Sequence, residues 1–145
     1  TELFAEEKKV LKNLKKSILM IAGTAAQKLG DKLALEQEVM MNISDMIIQT
    51  YMLESTLLKT EKLIAKYGRE AHEDKVSITI SFMHSAVEEV RKNGKEALYA
   101  ILEGDEQKML LMGLKRFTKV QPTNLKEHRR AIAKKLIEAN TYCFD

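Results

Sequence analysis

Apolar residues recur at helical spacing over residues 35–63, and this stretch is the best candidate for the central element of the chain. One stripe of apolar positions, three or four residues apart, includes Met40, Ile43, Ile47, Tyr51, Leu57 and Leu58. Further apolar positions widen the stripe beyond half of the circumference: Met41, Ile48, Met52 and Leu53. The narrower polar side consists of Glu38, Asn42, Asp45, Gln49 and Thr56. Such a helix must be covered on two or three sides, so the pattern predicts the central helix of a bundle.

One acidic residue, Glu54, lies on this apolar stripe. It has two interpretations. Glu54 is either a buried acid of a functional site, or it lies at the edge of the stripe and meets a lysine or arginine of a neighbouring helix.

The same periodicity predicts four more helices, over about residues 2–29, 71–102, 106–120 and 125–140. Turn and cap residues separate them: Gly30 with Asp31, Gly68, Asp105, and Asn124 with Glu127. Three glycines fall inside helices. We expect close helix contact at Gly23 and Gly113 and a distortion at Gly94. The prediction is an all-α fold: a single domain over residues 1–145, built as an up-down bundle of four long helices plus a shorter C-terminal helix.

Composition agrees with this fold, because one proline, six glycines and few aromatic residues suit an all-α domain. The formal net charge of +3 is unevenly distributed. Residues 106–145 hold nine Lys/Arg against four Asp/Glu, a net charge of +5, which leaves −2 for residues 1–105. The single cysteine, Cys143, fits a reducing compartment or a stray thiol. The chain begins at Thr1 without an initiator methionine, which we interpret as a fragment of a longer protein.

The basic charge is concentrated on the last predicted helix, where five cations form a candidate docking surface: Lys126, Arg129, Arg130, Lys134 and Lys135. This face is either simply solvated, or it meets an anionic membrane, an acidic partner or the phosphates of a coenzyme A moiety. A nucleic-acid partner is not expected, since stacking aromatic residues are missing.

Catalytic and metal-binding motifs are not found in the sequence. The residues three positions before His72, His84 and His128 are not carboxylates, which argues against a di-iron site. The glycines form no phosphate-binding motif, and no serine or cysteine lies in a nucleophile elbow. His84 and Glu88 are four residues apart, so they either hydrogen-bond on one face or are independently solvated. We assign no catalytic, cofactor-binding or metal residue to this chain.

Several segments resemble the extra C-terminal helical domain of very-long-chain-type acyl-CoA dehydrogenases. They are residues 25–32, residues 36–45 with Tyr51, residues 72–75, and residues 122–125 leading to 129–133. The resemblance implies a parent flavoenzyme of fatty-acid β-oxidation that uses FAD. It also implies that the catalytic glutamate and the flavin contacts lie N-terminal to this chain.

On that resemblance, the chain is a non-catalytic domain that packs on its own catalytic domain and supports a homodimer or docking to an anionic membrane surface. The implied location is the cytoplasm, or the mitochondrial matrix in a eukaryote, peripheral to a membrane. The alternative is a free-standing helical interaction module that binds an acidic surface through its basic last helix.

Overall fold

The computed structural model describes residues 3–120 and 125–139. Within these ranges the chain forms five α-helices: α1 (Ala5–Leu29), α2 (Gln37–Tyr67), α3 (Glu73–Ile101), α4 (Gly104–Phe117) and α5 (Leu125–Ala139). Two 3₁₀ segments, Gly30–Leu35 and Glu70–His72, precede α2 and α3. The predicted all-α fold is confirmed, although α2 extends beyond its predicted end at residue 63.

Contacts between side chains give the directions of the first three helices. Lys8 and Lys15 of α1 form ion pairs with Glu61 and Glu54 of α2, so these two helices are antiparallel. The helices α2 and α3 are also antiparallel, and the buried hydroxyls of Thr60 and Thr79 lie 3.0 Å apart between them. The predicted up-down order is therefore present in the first three helices.

The helices α4 and α5 both pack against α3. The guanidinium of Arg91 contacts Thr118 at the end of α4, whereas Asp74 pairs with Lys135 of α5. The helix α4 thus lies along the second half of α3 and α5 along its first half. Two separate short helices were predicted here, over about residues 106–120 and 125–140, and both are present.

The central helix is α3, and the prediction that α2 is central was wrong. Among the described helices, α3 contacts α1, α2, α4 and α5, whereas α2 contacts only α1 and α3. The buried side of α2 carries Val39, Asn42, Ile43, Met46, Thr50, Leu53, Leu57 and Thr60. The predicted stripe was therefore displaced around the helix, because apolar residues on the two sides of α2 could not be told apart by spacing.

Among the described glycines, Gly94 in α3 has the closest neighbours. A Cβ atom added at this position would lie 2.9 Å from both Ile21 Cδ1 of α1 and Leu114 Cδ2 of α4. Helix α3 continues through Gly94, so the predicted distortion is absent. Gly113 allows a similar approach by Met20 Sδ at 3.3 Å, as predicted. The prediction for Gly23 was wrong, since nothing lies within 4 Å of its added Cβ.

The predicted helix ends were only partly correct. Gly30 and Gly68 follow α1 and α2 with positive φ values of 51° and 89°, as expected for glycines that end helices. Asp31 does not cap α2, because a 3₁₀ segment separates them, and Asp105 lies inside the first turn of α4. The predicted cap Asn124 lies outside the described residues.

Candidate functional site

A groove of about 920 Å³ lies between the second half of α3 and the end of α4. Two helical rows of side chains form its walls. Arg91, Lys95 and Tyr99 come from α3 at four-residue spacing, which places them on one face of that helix. The other wall and the end of the groove are formed by Leu111, Met112, Lys115, Arg116, Lys119 and Val120. We call this feature the basic groove.

The basic groove is strongly cationic. Among the described residues that line it, five are lysine or arginine and none is aspartate or glutamate. Lys95, Lys115, Arg116 and Lys119 form no ion pair with another described residue. Lysine and arginine side chains that line the same groove raise the positive potential there. The arrangement therefore favours an anionic ligand.

Arg91 fixes the geometry at one end of the basic groove. Its Nε donates to Thr118 Oγ1 at 3.1 Å, and its Nη2 donates to the Thr118 carbonyl oxygen. Its Nη1 pairs with Glu88 Oε1 at 2.6 Å. Thr118 is fully buried, and its hydroxyl donates to the Leu114 carbonyl at 2.7 Å. Arg91 therefore holds the end of α4 against α3 rather than pointing into solvent.

The other part of the groove is apolar. Tyr99 is 59% exposed and Met112 is 68% exposed, and the half-buried Leu111 lies beside them. The groove consequently has an aromatic and aliphatic part next to its cations. Small-molecule sites commonly combine these two kinds of lining.

The structure describes the side chains of three of the five candidate docking residues of α5. Lys135 Nζ lies 3.5 Å from Asp74 Oδ1 and so faces α3, while Lys134 is within 3.8 Å of Glu138 on its own helix. Arg130 is exposed. The side chains of Lys126 and Arg129 lie outside the described residues. Docking through these five cations stays a prediction.

A second candidate surface is the outward face of α2. It comprises Met40, Met41, Ile47, Ile48, Tyr51, Met52 and Leu58, all of them exposed. At about 3.6 residues per turn, Met41, Ile48 and Met52 lie opposite the buried face of the same helix, and the other four flank it on one side. Contiguous exposed apolar patches of this kind commonly mark the binding surfaces of proteins.

The polar residues singled out from the sequence have structural partners. Lys15 Nζ lies 2.5 Å from Glu54 Oε2, so Glu54 meets a cation of the neighbouring helix, the second of its two interpretations. Glu88 pairs with Arg91, and His84 is half-buried. Within the described residues, no three His, Cys, Asp or Glu side chains are placed to hold a metal ion. None of the described helices is both long enough and apolar enough to cross a bilayer.

Sequence reasoning missed the basic groove, although its signals were present. Arg91 and Lys95 on one helix, and Lys115 and Lys119 on the next, are each four residues apart. The charge asymmetry of residues 106–145 was attributed to the last helix alone. Only the packing of α4 beside α3 brings the two basic rows together.

Comparison with known proteins confirms the acyl-CoA dehydrogenase C-terminal domain in the resemblance found in the sequence, and the very-long-chain type stays a prediction. The family model for the acyl-CoA dehydrogenase C-terminal domain matches residues 13–116. A probable acyl-CoA dehydrogenase of Bacillus subtilis (strain 168) is 39% identical over 137 residues, which cover 94% of this chain and 23% of the relative. The crystal structure of an acyl-CoA dehydrogenase complexed with FAD from Bacillus anthracis matches with a TM-score of 0.95 and 39% identity, over 99% of this chain and 25% of that chain.

The helical bundle is therefore a C-terminal domain of the acyl-CoA dehydrogenase type. The chain belongs to the acyl-CoA dehydrogenase family through this domain. It spans about a quarter of the length of the relatives it matches.

Proposed function

We propose that this chain is the non-catalytic C-terminal domain of an FAD-dependent acyl-CoA dehydrogenase of fatty-acid oxidation, and that it packs on the catalytic part of the same polypeptide. The family match supports the kind of parent enzyme, and the observation that carries the packing of this domain is the outward face of α2. Its apolar side chains are exposed here, and burying them against another protein surface is favourable by roughly 25 cal/mol per Å² of apolar area.

The occupant we infer for the outward face of α2 is the remainder of the polypeptide. The relatives from Bacillus subtilis and Bacillus anthracis are about four times as long as this chain and contain a matching region. A domain within a longer chain meets its neighbours at a fixed effective concentration, which favours an intramolecular contact over one with a separate protein.

Further details of the proposal come from the resemblance. They are a very-long-chain-type parent, a homodimer in which this domain participates, an anionic membrane surface as a docking partner, and a location in the cytoplasm or the mitochondrial matrix. The alternative, a free-standing module that binds an acidic surface through α5, has less support. Lys134 and Lys135 already have acidic neighbours in this structure.

An immunoblot of source-cell extract with antibody against this chain tests the first part of the proposal. The expected result is a band several times heavier than 16.6 kDa that co-purifies with flavin. A band near the mass of the chain alone, without flavin, would contradict it.

The face itself is tested in the full-length polypeptide by Ile48→Glu, compared with Leu19→Glu on α1. Ile48 and Leu19 are both exposed in the isolated domain. Both substitutions add one negative charge, and neither creates a new trypsin cleavage site. We expect Ile48→Glu to accelerate tryptic release of a fragment of about this chain's size, because a charge in an apolar contact is costly. Leu19→Glu should leave the release rate unchanged. Equal rates in both variants would contradict the assignment of the outward face of α2.

A further inference from the structure

We propose that the basic groove binds a phosphorylated small molecule, with the phosphate among Lys95, Lys115 and Lys119 and an aromatic or aliphatic part against Tyr99 and Met112. Neither the docking of the outward face of α2 nor the activity of the parent protein enters this inference. It rests on the charge, the shape and the lining of the groove.

The charge of the groove exceeds what helix stabilisation explains. Lys115 and Arg116 lie in the last turn of α4, where cations interact favourably with the helix dipole. Lys95 does not lie in the last turn of α3, and Lys119 follows the end of α4. Lys95 and Lys119 nevertheless line the groove together with Lys115 and Arg116, and none of its described lining residues is acidic. An anion that bridges the two rows would offset their mutual repulsion.

The number of cations favours phosphate over a simple carboxylate. A phosphate group carries up to two negative charges and three acceptor oxygens, so it can accept hydrogen bonds from several lysines at once. Arg116 adds a planar guanidinium that can bind two phosphate oxygens. A single carboxylate would leave most of these donors without an anionic partner.

The size and the apolar part of the groove indicate the rest of the ligand. A volume of about 920 Å³ falls within the range of roughly 300–1,000 Å³ found for small-molecule sites. The exposed ring of Tyr99 and the exposed side chain of Met112 offer a surface for a ring or an acyl segment. A nucleotide and a phospholipid headgroup with its first methylenes share this chemistry. The concave shape favours the soluble nucleotide.

The groove is preorganised by Arg91. Its guanidinium already has Thr118 and Glu88 as partners, so it positions the end of α4 instead of binding the ligand itself. The cations of α4 are thereby held at a fixed position relative to Lys95. Such preorganisation lowers the entropic cost of binding.

The test is isothermal titration calorimetry of the full 145-residue chain with ADP, adenosine and inorganic phosphate. Sedimentation with phosphatidylglycerol vesicles, against phosphatidylcholine vesicles, provides the second arm. We expect saturable binding of ADP, weaker binding of phosphate and none of adenosine, with affinity that falls as salt increases.

The matched variants are K95E/K115E in the groove and K12E/K16E on the exposed side of α1. Both pairs change the net charge by the same amount. Because each lost charge-assisted hydrogen bond corresponds to roughly tenfold in affinity, K95E/K115E should weaken ADP binding at least tenfold. K12E/K16E should retain it. The milder K95Q/K115Q should show an intermediate loss, and circular dichroism of each variant checks that the helices persist.

Each outcome either tests whether the groove binds a phosphate or identifies the kind of molecule that supplies it. Binding to phosphatidylglycerol vesicles alone, lost in K95E/K115E and retained in K12E/K16E, would support the groove with a lipid headgroup as its phosphate source. Absence of saturable binding to every probe would overturn the proposal, as would equal losses in the two glutamate variants.

Discussion

The helices α2 and α3 are similar in length and apolar content, yet they occupy different environments. Helix α3 is surrounded by the other four described helices, and its apolar positions are mostly inside the bundle. Helix α2 has a buried face toward α1 and α3 and an outward face that carries seven exposed apolar side chains. The difference teaches that apolar periodicity predicts contact with some protein surface without specifying which one.

The contrast also explains why α2 looked like the centre of the molecule. A helix that is buried by its own chain on one side and by another domain on the other side has the same sequence pattern as a central bundle helix. If the catalytic part of an acyl-CoA dehydrogenase covers the outward face, α2 is central in the complete protein and α3 is central only within this domain.

The largest expected difference between the two helices comes from the same substitution at one leucine of each. Leu98 of α3 is fully buried, whereas Leu58 of α2 is 52% exposed. Leu98→Ala should lower the free energy of unfolding by about 2–5 kcal/mol, because it removes buried methyl groups and leaves a cavity. Leu58→Ala should change it by less than about 0.5 kcal/mol in the isolated chain. Urea denaturation measures both values, and a large loss for Leu58→Ala would mean that the outward face is already covered, for example by self-association.

A second comparison concerns two arginines. Arg91 of α3 has three hydrogen-bond acceptors on Thr118 and Glu88, whereas Arg69 makes an exposed ion pair with Glu73. Arg91→Ala should cost about 2 kcal/mol, since the buried end of α4 loses its charged donor. Arg69→Ala should cost no more than about 0.5 kcal/mol, as for other exposed pairs at this spacing. Thermal unfolding measures the stability of the two variants. Similar losses of stability in both would show that Arg91 does not anchor α4.

The third comparison is between two glycines, at which substitution by alanine should change the stability in opposite directions. Gly94→Ala places a methyl group 2.9 Å from the buried side chains of Ile21 and Leu114. Overpacking costs about 1–3 kcal/mol, while alanine returns roughly 1 kcal/mol of helix propensity, so the net loss is about 1 kcal/mol. Gly23→Ala should instead stabilise by about 0.5–1 kcal/mol, because space is open around its Cβ. Denaturant midpoints report the two signs, and stabilisation by Gly94→Ala would contradict the observed packing.

Local sequence patterns predicted where the helices lie along the chain better than they predicted which helices pack against each other. The five helices and the positive φ at Gly30 and Gly68 followed from periodicity and glycine positions in the sequence. The identity of the central helix could not be predicted in this way, because α2 and α3 have similar apolar stripes. The two outward-facing features also escaped prediction. The basic groove requires Lys95 to meet Lys115 from another helix, and the outward face of α2 requires knowledge of which apolar side faces the bundle.

The smallest effect is expected at Glu54, which lies at the border between the two faces of α2. Its carboxylate pairs with Lys15, and both side chains are partly exposed. A double-mutant cycle with Lys15→Ala and Glu54→Ala should therefore give a coupling energy of only about 0.2–1 kcal/mol, because water screens the pair. Raising the salt concentration to about 1 M should reduce this coupling, since the Debye length falls to about 3 Å. If the coupling is several kcal/mol and independent of salt, Glu54 is buried more deeply than the isolated domain shows. The outward face would then already be covered in solution, and the distinction between α2 and α3 would no longer hold for the isolated chain.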